Sequence, residues 1–438
     1  MNTLLEHWKI DQNSLKKIKL KNLGVPENIS AMAKIEAEGM PEWMKGDDII
    51  CYITAAAAKS SYADVSLDIS GKKYPLITAG NKTLELNNID GIINAVLDEV
   101  YYPKKRPSFS YFPFPYTKIP VFIRLGLFKL LLKFKHDPGW PKWPIEKSID
   151  AIRHLFMMGI AKACNHPVKY IDFWPKGRFA LLLTHDCDSE ASYRWIEYIR
   201  EMEKSHGFTS SWNFVPKKYE LDFTKIRLLK KEGCEIGIHD YDHTANLPYR
   251  SREEIAGAID YGIKQLKEFN PNGFRSAQLQ RTPEFMSILA DKMAYDSSVP
   301  DTDIYSPVYF RNGACTIFPF FIKKMVELPL TLQQDFRLKR MGMSPVQIAE
   351  AWKLKLKYIH ERGGLATMNV HPDDFIFGSE YYLKAYEDFL KHAEKLEPWN
   401  ANPSDIAKWW HERCNASLKG GKVKGSKRAR VAEFTEKI

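Results

Sequence analysis

An uninterrupted apolar run, Phe179-Ala180-Leu181-Leu182-Leu183, opens directly into the polar stretch Thr184-His185-Asp186-Cys187-Asp188. A strand that is apolar at consecutive positions is buried on both faces, as interior strands of parallel sheets are. Helix-like and strand-like segments then alternate: a helix around Tyr193–His206, a strand over Thr209–Val215, a helix over Phe223–Lys231, a strand at Glu235–Ile238 and a helix over Glu253–Phe269. That rhythm predicts parallel strands joined by crossover helices, hence an α/β fold built on a (β/α) barrel or a doubly wound sheet. Functional groups on such a barrel collect at the C-terminal ends of its strands, where the polar stretch lies.

Side chains alternate along a strand, so Thr184, Asp186 and Asp188 share one face and His185 and Cys187 the other. Two carboxylates at a strand mouth repel each other and resist burial unless something offsets their charge. His239 and His243, in His239-Asp240-Tyr241-Asp242-His243, supply a candidate. They follow the Cys234–Ile238 strand at i,i+4 spacing, so one turn of helix brings both imidazoles onto one face. Two histidines and one aspartate make a three-ligand metal site with an open position, which is a catalytic pattern, and leave the second aspartate free as a base. The plainer alternatives are a helix-capping acid for the Asp-x-Asp pair and a non-ligating loop for the histidines.

On these residues the chain resembles the polysaccharide deacetylases (NodB homology, carbohydrate esterase family 4). Thr184 to Asp188 is similar to their T-x-D-x-D motif and His239 to His243 to their H-x-x-x-H motif. Gly273-Phe274-Arg275-Ser276, Tyr295-Asp296-Ser297-Ser298-Val299-Pro300 and Met368-Asn369-Val370-His371-Pro372 follow in the family's order. The resemblance spans roughly residues 170 to 415 and implies a distorted (β/α) barrel of NodB type. Asp188, His239 and His243 are the expected metal ligands, with zinc the first choice and nickel or cobalt suited to the same donors. Asp186 is the expected general base and His371 the general acid. The resemblance further implies that Arg275 pairs with Asp186 and Asp296 with His371. Ala277 stands where the family has proline after its arginine, with Arg281 and Pro283 close by, so a surface ion pair remains an alternative for Arg275. Asp240 and Asp242 depart from the family's usual Ser or Thr, as groups behind the ligands or as a barrier to anions. Val326 to Leu332 reads as a strand similar to the family's E-x-P strand.

The implied reaction removes an acetyl or formyl group from an amino sugar of a surface polysaccharide or of its lipid- or nucleotide-linked precursor. Trp195, Trp212, Tyr241 and Tyr305 suit stacking on sugar faces or a place in the core. Two other readings stay open: a carbohydrate-binding protein without turnover on the same scaffold, and a deacylase of a small non-sugar amide. No Gly-x-Ser-x-Gly elbow or phosphate-binding glycine loop is present.

The domain reading is an α+β or β-rich accessory region over residues 1–145, the barrel over 146–415 and a basic tail over 416–438. Strands are expected at Ile49–Thr54, Val65–Ile69 and Tyr74–Ile77, and the aromatic, proline-rich passage Ser108–Tyr116 is expected to pack against a neighbour. Val121–Phe134 reads as an amphipathic helix packed on its own protein with its charges outward, or alternatively lying on a bilayer, and is too short and too interrupted by Arg124, Lys129 and Lys133 to span one. Pro138 to Pro144 is a candidate hinge before a helix from Ile145 to Met158, and Asp405–Arg413 reads as a closing helix. Of the net charge of +10, half lies after Asn415, where seven lysines and arginines face two glutamates. That tail reads as disordered, with peripheral contact to anionic membrane as the alternative to a solvated end and no specific nucleic acid expected. Six cysteines without a Cys-x-x-Cys pair, and a start without a basic-then-apolar leader, point to a reducing, cytoplasmic compartment. Oligomeric state is not legible.

Overall fold

The structure is a computed structural model that describes residues 2–23, 31–37, 39–53, 63–102, 123, 139–306 and 310–436. The Ser108–Tyr116 passage, and the Val121–Phe134 helix apart from Ile123, lie outside the described residues. Near the N-terminus, helices α1 (Asn2–Trp8) and α2 (Gln12–Leu15) precede a six-stranded sheet. Its strands are β1 (Lys19–Leu23), β2 (Ala31–Ala37), β3 (Ile49–Ile53), β4 (Val65–Ile69), β5 (Lys72–Gly80) and β6 (Thr83–Asn87), in the order β1-β6-β5-β4-β2-β3. Along β3, Ile49, Cys51 and Ile53 are buried while Ile50 and Tyr52 are half-buried, the alternation of a sheet with one covered face. Helix α3 (Ile89–Leu97) and the long α4 (Ser148–Cys164) pack on it. Helix α4 is buried around nearly its whole circumference, because it also packs against β7 (Val168–Ile171) of the larger unit.

That unit carries a nine-stranded, mostly parallel sheet. Its strands are β8 (Ala180–Cys187), β9 (Ser210–Phe214), β10 (Glu235–His239), β11 (Gly273–Arg275), β12 (Tyr295–Asp296), then β15 (Phe320–Ile322), β16 (Met325–Glu327), β17 (Leu365–Asn369) and β18 (Trp399–Asn400); β13 (Asp303–Ser306) and β14 (Phe310–Asn312) form a separate hairpin. The order runs β15-β16-β12-β11-β10-β9-β8-β17, and β18 pairs the start of β8. The connecting helices are α5 (Ile196–Ser205), α6 (Phe223–Lys231), α7 (Arg252–Gln265), α8 (Pro283–Lys292), α9 (Asp335–Arg340), α10 (Pro345–Arg362), α11 (Glu380–Glu394) and α12 (Pro403–Asn415). Every residue of β8, β9, β10 and β17 is buried.

Among the described residues no strand pairing closes the sheet between β17 and β16, so the expected barrel or doubly wound sheet takes the form of a curled half-barrel. The expected strand from Val326 to Leu332 stops at Glu327. Pro329 follows two residues later and has no N–H to continue a ladder. Beyond it the chain leans on β17 through single contacts, Leu332 N–H to the Thr367 carbonyl at 3.0 Å and Thr367 N–H to Thr331 Oγ1 at 2.8 Å.

The C-terminal residues, expected to be disordered, are ordered through residue 436. A hairpin of β19 (Ser417–Lys419) and β20 (Lys422–Lys424) precedes β21 (Val431–Phe434), which pairs antiparallel with β7. Charge density misled here: Phe434 buries against Trp8 and His154, at ring separations of 5.8 and 5.0 Å, and Arg428 and Arg430 pair with Glu412 and Asp172. Among the described residues no helix is long and apolar enough to cross a membrane.

Candidate metal and acid–base site

The site lies at the C-terminal mouths of β8, β10, β11 and β17. The parity of β8 divides its polar end between two environments. His185 points beneath the sheet, 4.1 Å from the Trp212 ring, with Nε2 2.7 Å from Glu203 Oε1. Trp212 is therefore fully buried core and is not available to stack on a sugar. Thr184, Asp186 and Asp188 face the other way, into the cleft.

Asp188 Oδ1 lies 3.1 Å from both His239 Nε2 and His243 Nε2. These three donor atoms all fall within 4.8 Å of one another. They fit a divalent cation. The edge of a tetrahedron of donors about 2.0–2.1 Å from zinc is roughly 3.3 Å, close to the two observed separations. His239 Nδ1 lies 2.9 Å from the Arg275 carbonyl, which orients the ring so that Nε2 faces Asp188. Burial works against charge on Asp188, yet His243 and His239 hold its carboxyl well below the usual range.

The histidines do not converge through a helical turn. His239 ends β10, and the loop after it turns through three left-handed residues, Asp240 (φ 57°), His243 (φ 57°) and Ala245 (φ 61°). Asp242 accepts from Arg250 at 2.5 Å and from the Thr244 backbone, bracing this loop from outside. Asp240 is buried, with Oδ1 bonded to the Tyr241 N–H and Oδ2 unpartnered, and burial pushes its carboxyl up. The hydrogen-bond partners of Asp188 include a residue with no sequence signal: its N–H donates to Asp373 Oδ2 at 3.1 Å.

Asp186 is buried in a tight polar cage. Asn213 Nδ2 donates to Oδ1 and Asn369 Nδ2 to Oδ2, each at 2.8 Å, and Arg275 Nη1 lies 3.4 Å from Oδ2. Burial alone would raise this carboxyl, but Arg275, His239, His371 and the Asn213 amide bring it down to about 2. Arg275 is 1% exposed, so the surface-pair alternative does not describe it; its Nη2 also donates to Thr184 Oγ1 and Ser297 Oγ. Asn213 went unnoticed in the sequence, although an amide inside the buried strand β9 needs a partner somewhere. Its room comes from Gly237 on β10, where a Cβ would sit 2.2 Å from Asn213 Oδ1.

His371 follows β17 with Nε2 3.9 Å from Asp186 Oδ2. Its expected partner is wrong. Asp296 accepts from the Ser298 N–H and hydroxyl, each at 2.9 Å, and burial pushes its carboxyl and that of the neighbouring Glu327 upward. Asp335, at the start of α9, takes the place expected of Asp296: Oδ1 lies 2.7 Å from His371 Nδ1 and Oδ2 accepts the His371 N–H at 2.6 Å. Burial opposes charge on the ring, but Asp335, Asp188 and Asp186 raise it to about 10. The Phe336 ring packs edge-on against His371 at 5.5 Å. Trp195 and Tyr241 remain partly exposed, Trp195 donating to Asp374 and Tyr241 lying under Lys217 and Arg250, while the Tyr305 side chain is outside the described residues.

No family model matches the chain, and no curated protein sequence does. Solved structures do. Polysaccharide deacetylases are among them. A putative polysaccharide deacetylase from Mycobacterium smegmatis is 20% identical, with a TM-score of 0.46 over 54% of this chain and 92% of its own. The Puue allantoinase is 17% identical, with a TM-score of 0.44 over 55% and 93%. A probable polysaccharide deacetylase from Pseudomonas aeruginosa PAO1 is 17% identical, with a TM-score of 0.43 over 57% and 96%.

Proposed function

We propose that the chain is a metal-dependent hydrolase that removes an acetyl or formyl group from an amino sugar, on a distorted barrel of NodB type. The observation that carries this reading is the convergence of Asp188, His239 and His243 within 4.8 Å of one another, beside Asp186 with Arg275 against it and His371 with Asp335 behind it. When bound, a divalent cation supplies Lewis-acid polarisation of the acyl oxygen and a more acidic water, with zinc first among the metals these donors suit. Asp186 accepts the proton of the attacking water on Oδ2 or Oδ1. The amides of Asn213 and Asn369 and the Arg275 guanidinium keep it anionic and oriented until then. His371 Nε2 delivers a proton to the departing nitrogen, and Asp335 on Nδ1 holds the ring in its charged form beforehand. The acid and the base differ in pKa because one has a carboxylate behind it and the other a guanidinium. The amino-sugar substrate rests on the five motifs shared in order with the polysaccharide deacetylases.

The test pairs two substitutions. Asp188→Ala should lose bound metal, measured by elemental analysis, together with acetate release from N-acetylated sugars. Asp186→Asn should keep the metal and lose about 10²–10⁴-fold in kcat. Normal turnover by Asp186→Asn removes the base from this reading. Stoichiometric metal without turnover on any N-acyl sugar or small amide favours a silent carbohydrate-binding protein.

A further inference from the structure

We propose that the N-terminal sheet unit is a working part of the site: through Glu99 and Arg281 it holds the loop that aims Arg275 at Asp186, and both are positioning residues. Glu99 belongs to the turn that closes α3, its N–H bonded to the Val96 carbonyl. Its carboxylate reaches out of that unit and takes Arg281 in a two-pronged ion pair, Nε to Oε2 at 2.7 Å and Nη2 to Oε1. Both side chains are buried, Glu99 at 2% and Arg281 at 7% exposure. A surface ion pair contributes little, whereas a buried one broken on one side leaves a stranded charge, so this pair is strongly tied to its geometry.

What Arg281 does with its third nitrogen gives the pair its role. Nη1 donates to the Leu279 carbonyl at 2.7 Å and lies 3.4 Å from the Ser298 carbonyl. The Leu279 carbonyl belongs to a strained loop, because Gln278 (φ 53°) and Leu279 (φ 56°) are consecutive left-handed residues without being glycine. Such a conformation persists only where its surroundings over-determine it. The loop starts one residue after Arg275, and its first residue, Ser276, donates its N–H to Ser298 Oγ at 2.8 Å. Ser297, next to that, is the hydroxyl on which Arg275 Nη2 rests at 3.0 Å. The guanidinium of Arg281 thus pins both segments that flank Arg275, and its own anchor comes from outside the sheet that carries the site. Tyr101, two residues beyond Glu99, makes a second tie with its hydroxyl 2.6 Å from the Gly313 carbonyl.

This inference rests on the proposed reaction only in treating Arg275 and Asp186 as a working pair. Its test uses the full-length protein carrying Glu99→Gln, with Glu99→Asp and Arg281→Lys alongside. Amide hydrogen exchange should rise about ten-fold or more in peptides covering residues 276–281 in Glu99→Gln, while peptides from β2 to β5 keep their protection. With a soluble N-acetylglucosamine oligomer as substrate, kcat should fall about ten-fold with KM within two-fold and zinc affinity unchanged. Glu99→Asp, which keeps the charge, should recover most of that kcat. Unchanged exchange over 276–281, loosening spread over the whole chain, or an unaltered kcat in an active protein would each overturn the proposal. Should Glu99→Gln fail to fold, Arg281→Lys, which keeps the charge but loses the two-pronged grip, decides by the same readouts. A wild-type protein that releases no acetate sinks the proposed reaction alone, and exchange at 276–281 then decides this inference.

Discussion

At the scale of single residues, the site works by giving each charge a dedicated opposite. Asp335 is the clearest case, since its two oxygens grip both the ring and the backbone of His371. A histidine raised to about 10 keeps its proton through neutral pH. Replacing Asp335 by Asn should bring the alkaline limb of the pH–rate profile down toward the ordinary histidine value of about 6.5, a shift that initial rates between pH 5 and 10 would reveal. The same raised value bears on stability with a definite sign. The ion pair contributes fully below the unfolded pKa near 6.5, and the contribution is lost as pH rises toward about 10. Wild-type and Asp335→Asn proteins should therefore converge in urea stability at the alkaline end of that window.

At the scale of elements, close strand packing sets the cage around Asp186. Strand β10 passes β9 at Gly237, where the absent side chain is the space that Asn213 occupies. Gly237→Ala should displace the Asn213 amide, cost about 1–3 kcal/mol by overpacking and, on the proposed reaction, lower kcat while any bound metal is retained. Urea denaturation and elemental analysis together check this. Helix α7 offers a contrast remote from the chemistry. Ser251 and Glu254 form a reciprocal capping box at its start, so Ser251→Ala should cost about 1 kcal/mol in denaturation and leave kcat and KM as they were.

At the scale of the whole molecule, the chain is stitched end to end. Trp8 of α1 donates to the Arg153 carbonyl at 2.9 Å and packs against Tyr170 of β7 and Phe434 of β21. The tail therefore belongs to the core of the fold, and Phe434→Ala should cost about 3 kcal/mol, read as a lower thermal midpoint with metal content unchanged. Helix α4 serves both units at once, with Asp150 accepting from Thr316 at 2.8 Å on the side of the half-barrel. Motion of one unit against the other would have to break that helix free on one of its two sides.

Much of this was present in residue order. The apolar run before Thr184 determined that β8 is an interior strand, and its alternation put Asp186 and Asp188 on one face and His185 on the other, while the fold decided which face meets the cleft. The periodic segments from Thr209 to Gln265 likewise determined β9, α6, β10 and α7, since their burial pattern is local. Contacts between distant elements were decided only by the tertiary fold. Asp335 lies 36 residues before His371 in a stretch with no motif of its own, and Asp296, in a better-looking motif, turns to Ser298 instead. The tail composition suggested solvent, yet one aromatic and a strand edge waiting on β7 outweighed seven cations. Side-chain chemistry is written in the order of residues, but which charges neutralise one another depends on loop paths that hydrophobic patterning does not encode.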